Sequence, residues 1–220
     1  MNRNLLIVGA GVYGLVAKEI AEDMGYFEKI DFVDDSSKTT PNGIAVVGTT
    51  KDLAELAGRY GNVIVAIGNP TFRLQMLTRI EEETLLQIVS LISPRAYVSP
   101  SAQIGRGSII EPMAVVHTGC ILSKGCLVSA GAVINHCSLL CDGVHVDCNA
   151  TVAGYSMVPA GTKVCSGEVF KNQTVNAADL FAEAKRAESA QAKTLQFNVT
   201  VPQGGPIPIG GVEYNFEDGM

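Results

Sequence analysis

The sequence lacks long hydrophobic runs and any excess of basic residues. The apolar stretch in "MNRNLLIVGAG" (1–11) is far too short for the core of a signal peptide or for a membrane span, and no later stretch is long enough either. Lysine and arginine number 16 against 22 aspartate and glutamate residues, so the net charge of −6 argues against nucleic acid or an anionic membrane as a partner. We therefore expect a cytoplasmic protein without membrane insertion.

Histidine is also scarce, with 3 residues in 220, and two of them lie in the cysteine-containing stretch "GAVINHCSLLCDGVHVD" (131–147). All 6 cysteines fall in one segment, and without a secretion signal they are best interpreted as reduced thiols that serve as small core residues. The spacing of Cys137, Cys141, His145 and Cys148 nevertheless raises the hypothesis of a zinc site.

The first part of the chain alternates strands of buried type with helices, which predicts a small parallel sheet. Strands are predicted over 4–8, 29–35, 63–69 and 87–92, and helices over 15–25, 50–61 and 71–83. The segment "GAGVYG" (9–14) lies between the first strand and the first helix and has the form G-x-G-x-x-G. Such glycines let backbone amides at a helix N-terminus approach a phosphate, although a turn needed only for close helix–strand packing is an alternative.

From Val98 onward, every sixth residue is isoleucine, leucine or valine. These positions are Val98, Ile104, Ile110, Val116, Leu122, Val128, Ile134, Leu140, Val146, Val152, Val158 and Val164. Four places after most of them stands alanine, serine, threonine or cysteine. This hexapeptide repeat predicts a parallel β-helix with three faces in each coil, in which the aliphatic residue fills the interior and the small residue lets the chain turn the corner.

These patterns divide the chain into an α/β Rossmann-like domain (1–94), a β-helix domain (95–172) and a C-terminal segment (173–220). In the last segment, "NAADLFAEAKRAESAQAK" (176–193) predicts a helix capped by Asn176, and "TLQFNVTV" predicts a strand. The remaining tail is rich in glycine and proline and is predicted to be irregular.

The segments "LIVGAGVYG", "DFVDD", "VIVAIGNPTFR", "SPSAQIGRG" and "GAVINHCSLLCDGVHVDCNATVAG" occur in an order and spacing that resembles the sugar acyltransferases of the sialic-acid and bacillosamine type. The resemblance covers roughly residues 4–172. It implies a left-handed β-helix enzyme that uses acetyl-CoA to acetylate an amino sugar or nucleotide-linked sugar. It also implies a homotrimer in which acetyl-CoA lies in the groove between adjacent β-helices. We expect no metal, for the reason given below.

The same resemblance implies a nucleotide-sugar site in the N-terminal domain. Its residues would be Gly9, Gly11, Gly14, Asp34, Asp35, Gly68 and Asn69, with Arg73 as a further contact. This chain has Tyr13 where the family often has histidine.

His136 is the candidate catalytic residue. Residues 18 apart stack along a three-faced β-helix, so Thr118 lies one coil below His136 and Gly154 one coil above, where the missing side chain leaves room for a thioester arm. Acyl transfer to an amine needs a base near neutral pKa, which imidazole provides. The resemblance assigns the base to His136 and places His145 near the thioester.

One departure from the family concerns the residue after this histidine, which is commonly acidic and here is Cys137. Another group, such as Asp142, Asp147 or a residue of an adjacent subunit, would then orient the imidazole. The zinc hypothesis is disfavoured because its four residues fall at different phases of the hexad and would not converge. His117 is expected to be an ordinary surface residue.

Three functional hypotheses remain. The first is an acyltransferase acting on a nucleotide-linked amino sugar, and the second is a non-catalytic trimeric protein that binds a nucleotide sugar. Cys137, Tyr13 and a β-helix one coil shorter than in the family favour the second. A nicotinamide-dependent oxidoreductase is the third, but no substrate domain of that kind is visible.

Overall fold

The computed structural model describes residues 2–176 and 178, and begins with a parallel five-stranded sheet. Its strands are β1 (Asn4–Val8), β2 (Lys29–Val33), β3 (Val46–Gly48), β4 (Asn62–Val65) and β5 (Gln87–Ile88), in the order β3-β2-β1-β4-β5. The helices are α1 (Val12–Asp23), α2 (Leu53–Leu56), which follows a 3-10 turn over Thr50–Asp52, and α3 (Pro70–Glu83). This is the doubly wound order of a Rossmann-like domain.

Several elements differ from the sequence prediction in their bounds, since β4 ends at Val65 instead of 69 and α2 covers only Leu53–Leu56 of the helix predicted over 50–61. Two strands differ more strongly. The edge strand β3 was not predicted, because three residues are too short to show a pattern. The predicted strand over 87–92 is divided between two sheets, since β5 joins the first sheet and β6 (Leu91–Ile92) joins the β-helix. The first coil therefore starts ahead of residue 95. The predicted strand "TLQFNVTV" and nearly all of the helix over 176–193 lie outside the described residues.

The β-helix continues in two-residue strands, one for each hexad. They are β7 (Tyr97–Val98), β8 (Gln103–Ile104), β9 (Ile109–Ile110), β10 (Val115–Val116), β11 (Ile121–Leu122), β12 (Leu127–Val128), β13 (Val133–Ile134), β14 (Leu139–Leu140), β15 (His145–Val146), β16 (Thr151–Val152), β17 (Met157–Val158), β18 (Lys163–Val164) and β19 (Val169–Phe170). Face 1 contains β6, β9, β12, β15 and β18; face 2 contains β7, β10, β13, β16 and β19; face 3 contains β8, β11, β14 and β17.

The hexapeptide prediction is confirmed in its register and its burial. Strands on one face pair in parallel with a shift of 18 residues, as in Val116 with Ile134 and Ile134 with Val152. The aliphatic residues from Ile110 to Val164 are at most 1% exposed, and the small residues behind them, such as Ala114 and Ser138, are 0% exposed. The second residue of each strand thus fills the interior, and the first points outward.

The N-terminal domain covers face 1 and the corner between faces 3 and 1. Outward residues of face 1, Leu91, Ile109 and Leu127, share one buried cluster with α1 and the first sheet. Helix α3 lies along the corner, where a Cβ at Gly125 would come within 2.8 Å of Leu77 Cδ1. We call this region the covered side. Among the described residues, no helix is long and apolar enough to cross a membrane.

Candidate active site

The predicted nucleotide-sugar residues come together at one edge of the first sheet. Strands β1 and β4 are neighbours in the sheet, and the strand order changes direction between them. Helix α1 follows β1, and helix α3 follows β4. In such sheets a crevice opens at the carboxyl ends of the strands at this point. This strand order places the loop of Gly9 to Gly14 beside the loop of Gly68 and Asn69, and we call the space between these loops the crevice.

The four glycines of this crevice fall into two pairs. Gly9 has a φ of +110° and a Cβ there would lie 2.9 Å from Ala66 O, and a Cβ at Gly14 would lie 2.1 Å from Gly9 O. Both are needed for close packing of the loop. A Cβ at Gly11 or Gly68 would meet nothing within 4 Å. These two glycines have no such packing neighbour, and they leave open space at the uncapped N-terminus of α1 and beside α3.

The two acidic residues after β2 are held by the protein itself. Asp34 accepts the Ala10 N–H through Oδ2 at 2.9 Å, and Oδ1 accepts hydrogen bonds from Ser36 and Ser37. Desolvation opposes ionisation, but these hydrogen bonds outweigh it and lower the pKa of Asp34 to about 2. Asp35 caps the 3-10 turn by accepting Thr50 N–H at 2.7 Å and Thr50 Oγ1 at 2.8 Å. Asp34 thus positions the glycine loop.

Asn69 and Arg73 also have structural contacts in this region. Asn69 caps α3, because its Oδ1 accepts the Phe72 N–H at 3.0 Å. Arg73 is 0% exposed. Its guanidinium donates to the carbonyl oxygens of Gly125, Ile67, Gly68 and Gly143 at 2.6–2.9 Å. Arg73 was expected to contact the nucleotide sugar, but burial gives it a different role, which is to join α3 and the crevice loop to the corner of the β-helix.

His136 lies at the corner between faces 2 and 3, which we call the open corner. Its imidazole is exposed and lies against the next coil, since a Cβ at Gly154 would be 2.9 Å from His136 Cε1. The Tyr155 ring packs edge-on against it with centroids 4.9 Å apart. Among the described residues, no carboxylate contacts this imidazole, and Cys137 is buried in a left-handed conformation with φ +53°.

The two acids expected to orient His136 are engaged at other corners. Asp142 Oδ1 accepts the Lys124 N–H at 3.0 Å. Asp147 forms an ion pair with Lys163 at 2.9 Å, and this hydrogen bond lowers the pKa of Asp147 to about 2. If His136 is oriented by an acid, that acid comes from elsewhere.

His145 is the outward residue of β15 on face 1, at the upper edge of the covered side. Burial lowers the pKa of His145 to about 4, so its imidazole is neutral at physiological pH. Its Nε2 lies 3.1 Å from Ser129 Oγ, and no other acceptor for this hydroxyl occurs among the described residues. We infer that Ser129 donates to Nε2, which leaves the ring proton on Nδ1.

His136 and His145 therefore lie on different sides of one β-helix. His136 follows β13 of face 2, whereas His145 belongs to β15 of face 1. The cysteines of the zinc hypothesis are likewise spread around the coil, because Cys137, Cys141 and Cys148 follow strands of three different faces. Within the described residues, no group of three or more histidine, cysteine, aspartate or glutamate residues could hold a metal ion. His117 is exposed on the surface.

Sequence reasoning missed two buried polar residues, namely Ser129, which contacts His145, and Glu111, one coil below Ser129. Both follow the inward residue of a face 1 strand, and with Asp147 they form a column with a spacing of 18 residues. Glu111 is 8% exposed and Ser129 is 3% exposed. The 18-residue spacing was the signal that could have identified them.

Known proteins match both the N-terminal domain and the β-helix of this chain. Residues 4–80 match the family described as PglD N-terminal domain. No curated protein sequence matches the chain. Among solved structures, the acetyltransferase domain of PglB from Neisseria gonorrhoeae FA1090 in complex with acetyl coenzyme A is 34% identical, with a TM-score of 0.74, and the match covers 79% of this chain and 84% of that one.

Two more distant structures share the fold. PerB from Caulobacter crescentus, in complex with CoA and GDP-perosamine, is 22% identical with a TM-score of 0.56, and the match covers 76% of this chain and 91% of that one. WeeI from Acinetobacter baumannii AYE is 18% identical with a TM-score of 0.56, and the match covers 75% and 87%. The expected left-handed β-helix behind a Rossmann-like domain is confirmed, and the chain belongs to the hexapeptide-repeat acetyltransferase family that includes this PglB domain.

Proposed function

We propose that this protein is an acetyl-CoA-dependent N-acetyltransferase that acts on a nucleotide-linked amino sugar in the cytoplasm, as a homotrimer. The observation that carries the proposal is the exposed His136 imidazole against the side-chain-free Gly154, in a chain that is 34% identical to an acetyl-CoA-bound acetyltransferase domain.

The crevice of the first sheet suits the phosphates of a nucleotide sugar. Gly11 and Gly68 leave open space, and the first turn of α1 has no side-chain cap. Free backbone N–H groups and the helix dipole favour an anion at such an N-terminus. Asp34 supports this arrangement by fixing the loop through Ala10.

The open corner suits the acyl donor. Gly154 has no side chain beside the imidazole, and among the described residues no acceptor takes its backbone N–H. Gly154 is buried beneath the imidazole, so its N–H would donate to a carbonyl of the donor that enters beside the His136 ring. When bound, acetyl-CoA supplies the acetyl group as a thioester.

The described groups supply the remaining chemistry. His136 takes a proton from the acceptor nitrogen while the nitrogen forms a bond to the acetyl carbon. The carbon–sulfur bond breaks, and the proton held by His136 passes to the sulfur, which leaves as the thiol of CoA. The Gly154 N–H and the Nδ1–H of a neutral His145 can stabilise the negative charge that develops on the acetyl oxygen.

These groups meet only if adjacent copies share the site, because His136 and His145 occupy different sides of one β-helix. The outward surface of face 2 supports such an assembly. Tyr97 and Val169 on this face are 56% and 66% exposed, and Met157 on face 3 is 37% exposed. A neighbouring copy that covers these side chains would bring the upper edge of its face 1, with His145, towards His136 and could supply the acid that orients it.

The test measures release of the CoA thiol from acetyl-CoA in the presence of UDP- and GDP-linked amino sugars. We expect His136→Ala to lower kcat/KM at least about 100-fold, because a general base contributes that much. His117→Ala is the matched control, since His117 occupies the corresponding exposed stretch after β10, and its activity should stay within about twofold. Light scattering should show a trimer.

A different result supports the second function. If no thiol is released at high protein concentration while a nucleotide sugar binds, the protein is a non-catalytic binding trimer. Cys137 and the lack of a carboxylate at the imidazole, among the described residues, are the observations that favour this alternative.

A further inference from the structure

A buried polar cluster lies where α1 meets the corner between faces 1 and 2, and the transfer described above does not use it. Its centre is Glu111, which is 8% exposed and follows β9. Glu111 Oε2 accepts the Ala130 N–H, one coil above, at 3.0 Å. Among the described residues, no lysine, arginine or histidine pairs with this carboxylate. A buried carboxylate without a cation is unusual, because burial disfavours an isolated charge.

Tyr13 of α1 is the neighbour of Glu111. Its hydroxyl is buried and faces the Glu111 carboxylate, although no contact among the described residues has full hydrogen-bond geometry. Burial, followed by the charge of Glu111 and a hydrogen bond to it, raises the pKa of Tyr13 well above its usual value, so the phenol is neutral. The two groups therefore lie close together, and neither is paired with a cation among the described residues.

The cation nearest to Tyr13 is not available to this cluster. Arg73 acts on Tyr13 through its charge, but its guanidinium already donates to four backbone carbonyls. Among the described residues, Glu111 therefore accepts the Ala130 N–H but has no lysine or arginine side chain that is free to pair with it.

The cluster lies between the two halves of the proposed site. Tyr13 belongs to the glycine loop (9–14) whose Gly11 faces the proposed phosphates. Ala130 directly follows Ser129, whose hydroxyl is 3.1 Å from His145 Nε2. An acceptor with its phosphates at Gly11 and its reacting group near His145 would therefore extend past Tyr13 and Glu111.

We propose that Glu111, together with the Tyr13 hydroxyl, binds the amino group of the acceptor sugar and makes the site selective for an amine over a hydroxyl group; this inference rests on the proposed function. An amino group arrives largely as an ammonium ion. This ion offers three N–H donors and the positively charged partner that the described protein does not provide for Glu111. A hydroxyl group offers one donor and no charge. Hydrogen bonds between ionised partners are roughly twice as strong as neutral ones.

Glu111 is a specificity residue in this scheme and not the base. The ammonium first loses one proton to solvent, which gives the nitrogen its lone pair. A second proton passes to His136 as the carbon–nitrogen bond forms, and the N–H that remains stays on Glu111 during the transfer. The charge of Glu111 does not change over the reaction.

The test compares a UDP-linked 4-amino sugar with the corresponding UDP-linked 4-hydroxy sugar by calorimetric binding and by acetyl transfer. Wild-type protein should bind the amino sugar at least about tenfold more tightly. Glu111→Gln keeps an acceptor for Ala130 N–H but removes the charge. It should abolish this preference and raise KM for the amino sugar about tenfold with little change in kcat.

Tyr13→Phe should reduce the preference to a smaller extent, and Glu55→Gln, an exposed charge removal on α2, should leave it unchanged. Thermal unfolding checks that each variant is folded. If Glu111→Gln does not fold, the wild-type comparison of the two sugars still decides, because equal affinities overturn the inference.

The outcomes separate this inference from the proposed function. Transfer by the wild type with an unchanged KM in folded Glu111→Gln overturns the role of Glu111 and leaves the acetyltransferase standing. Selective binding of the amino sugar without any transfer supports Glu111 and refutes the enzyme.

Discussion

The β-helix uses the same left-handed backbone conformation at its covered and open corners, but with different residues. On the covered side, the left-handed positions are Gly107, Gly125, Gly143 and Gly161, with φ between +68° and +74°. At the open corner, Cys137 and Tyr155 adopt φ of +53° and +62°, while Gly119 one coil below has a φ of +67°. Non-glycine residues in this conformation cost on the order of 1–2 kcal/mol each.

Packing explains the difference. Side chains of α3 approach the covered glycines so closely that a Cβ at Gly143 would be 2.9 Å from Leu74 Cδ1. The open corner has no such cover among the described residues, and the Tyr155 side chain uses the space to pack against His136. Non-glycine residues are thus accepted at the corner that carries the candidate base and avoided at the corner where α3 packs.

The largest effect on stability should come from removing the guanidinium that holds the covered side together. Arg73→Met preserves much of the side-chain volume but leaves four carbonyl oxygens without this donor. We expect the free energy of unfolding to fall by about 3–5 kcal/mol, as measured by urea denaturation. Arg79→Met on the same helix is the control, because Arg79 forms a surface ion pair with Glu83 and should lose less than about 1 kcal/mol. Equal losses would contradict the comparison.

A smaller effect should distinguish backbone strain from packing. Gly125 and Gly167 have φ of +68° and +71°, but a Cβ would meet Leu77 Cδ1 at 2.8 Å only at Gly125, and nothing within 4 Å at Gly167. Gly167→Ala should cost about 1 kcal/mol from the backbone alone, and Gly125→Ala about 2–3 kcal/mol. Equal losses in the two variants would show that α3 adapts to the added methyl group.

The β-helix could be predicted in detail because its period fixes the direction of every side chain. The positions of Thr118 and Gly154 around His136 followed from a spacing of 18 residues, and so did the burial of Ile134. The N-terminal domain was predicted only as a series of elements. The hydrophobic pattern of this domain indicates where strands and helices occur, but it does not show which side chains contact each other.

Arg73 illustrates this limit. In the sequence it is a basic residue near a presumed phosphate site, and its burial depends on how α3 docks on a different domain. The Tyr13–Glu111 pair has the same origin, since its members are far apart in the chain and meet through that docking. The open corner belongs to the β-helix alone, so the repeat could place His136 between Thr118 and Gly154, whereas its role as the base came from the family resemblance.

The smallest predicted effect concerns acid stability on the covered side. Burial lowers the pKa of His145 from 6.5 to about 4, so between these pH values the unfolded chain binds a proton that the folded chain does not. The stability that comes from the neutral imidazole is therefore complete above about pH 6.5 and is lost as the pH falls to about 4. Because His145 is only partly buried, we expect a loss of about 1–2 kcal/mol, measured by urea denaturation across this range.

His145→Gln provides the control for this window, because a neutral amide can still accept from Ser129 but does not titrate. The variant should show a flatter free energy of unfolding between about pH 6.5 and 4. Asp34 and Asp147 contribute in a separate range, since their pKa values fall from 3.8 to about 2 and the stability they provide is lost only below about pH 4. An unchanged slope in His145→Gln would show that the imidazole at the edge of the covered side is more hydrated than its contacts indicate.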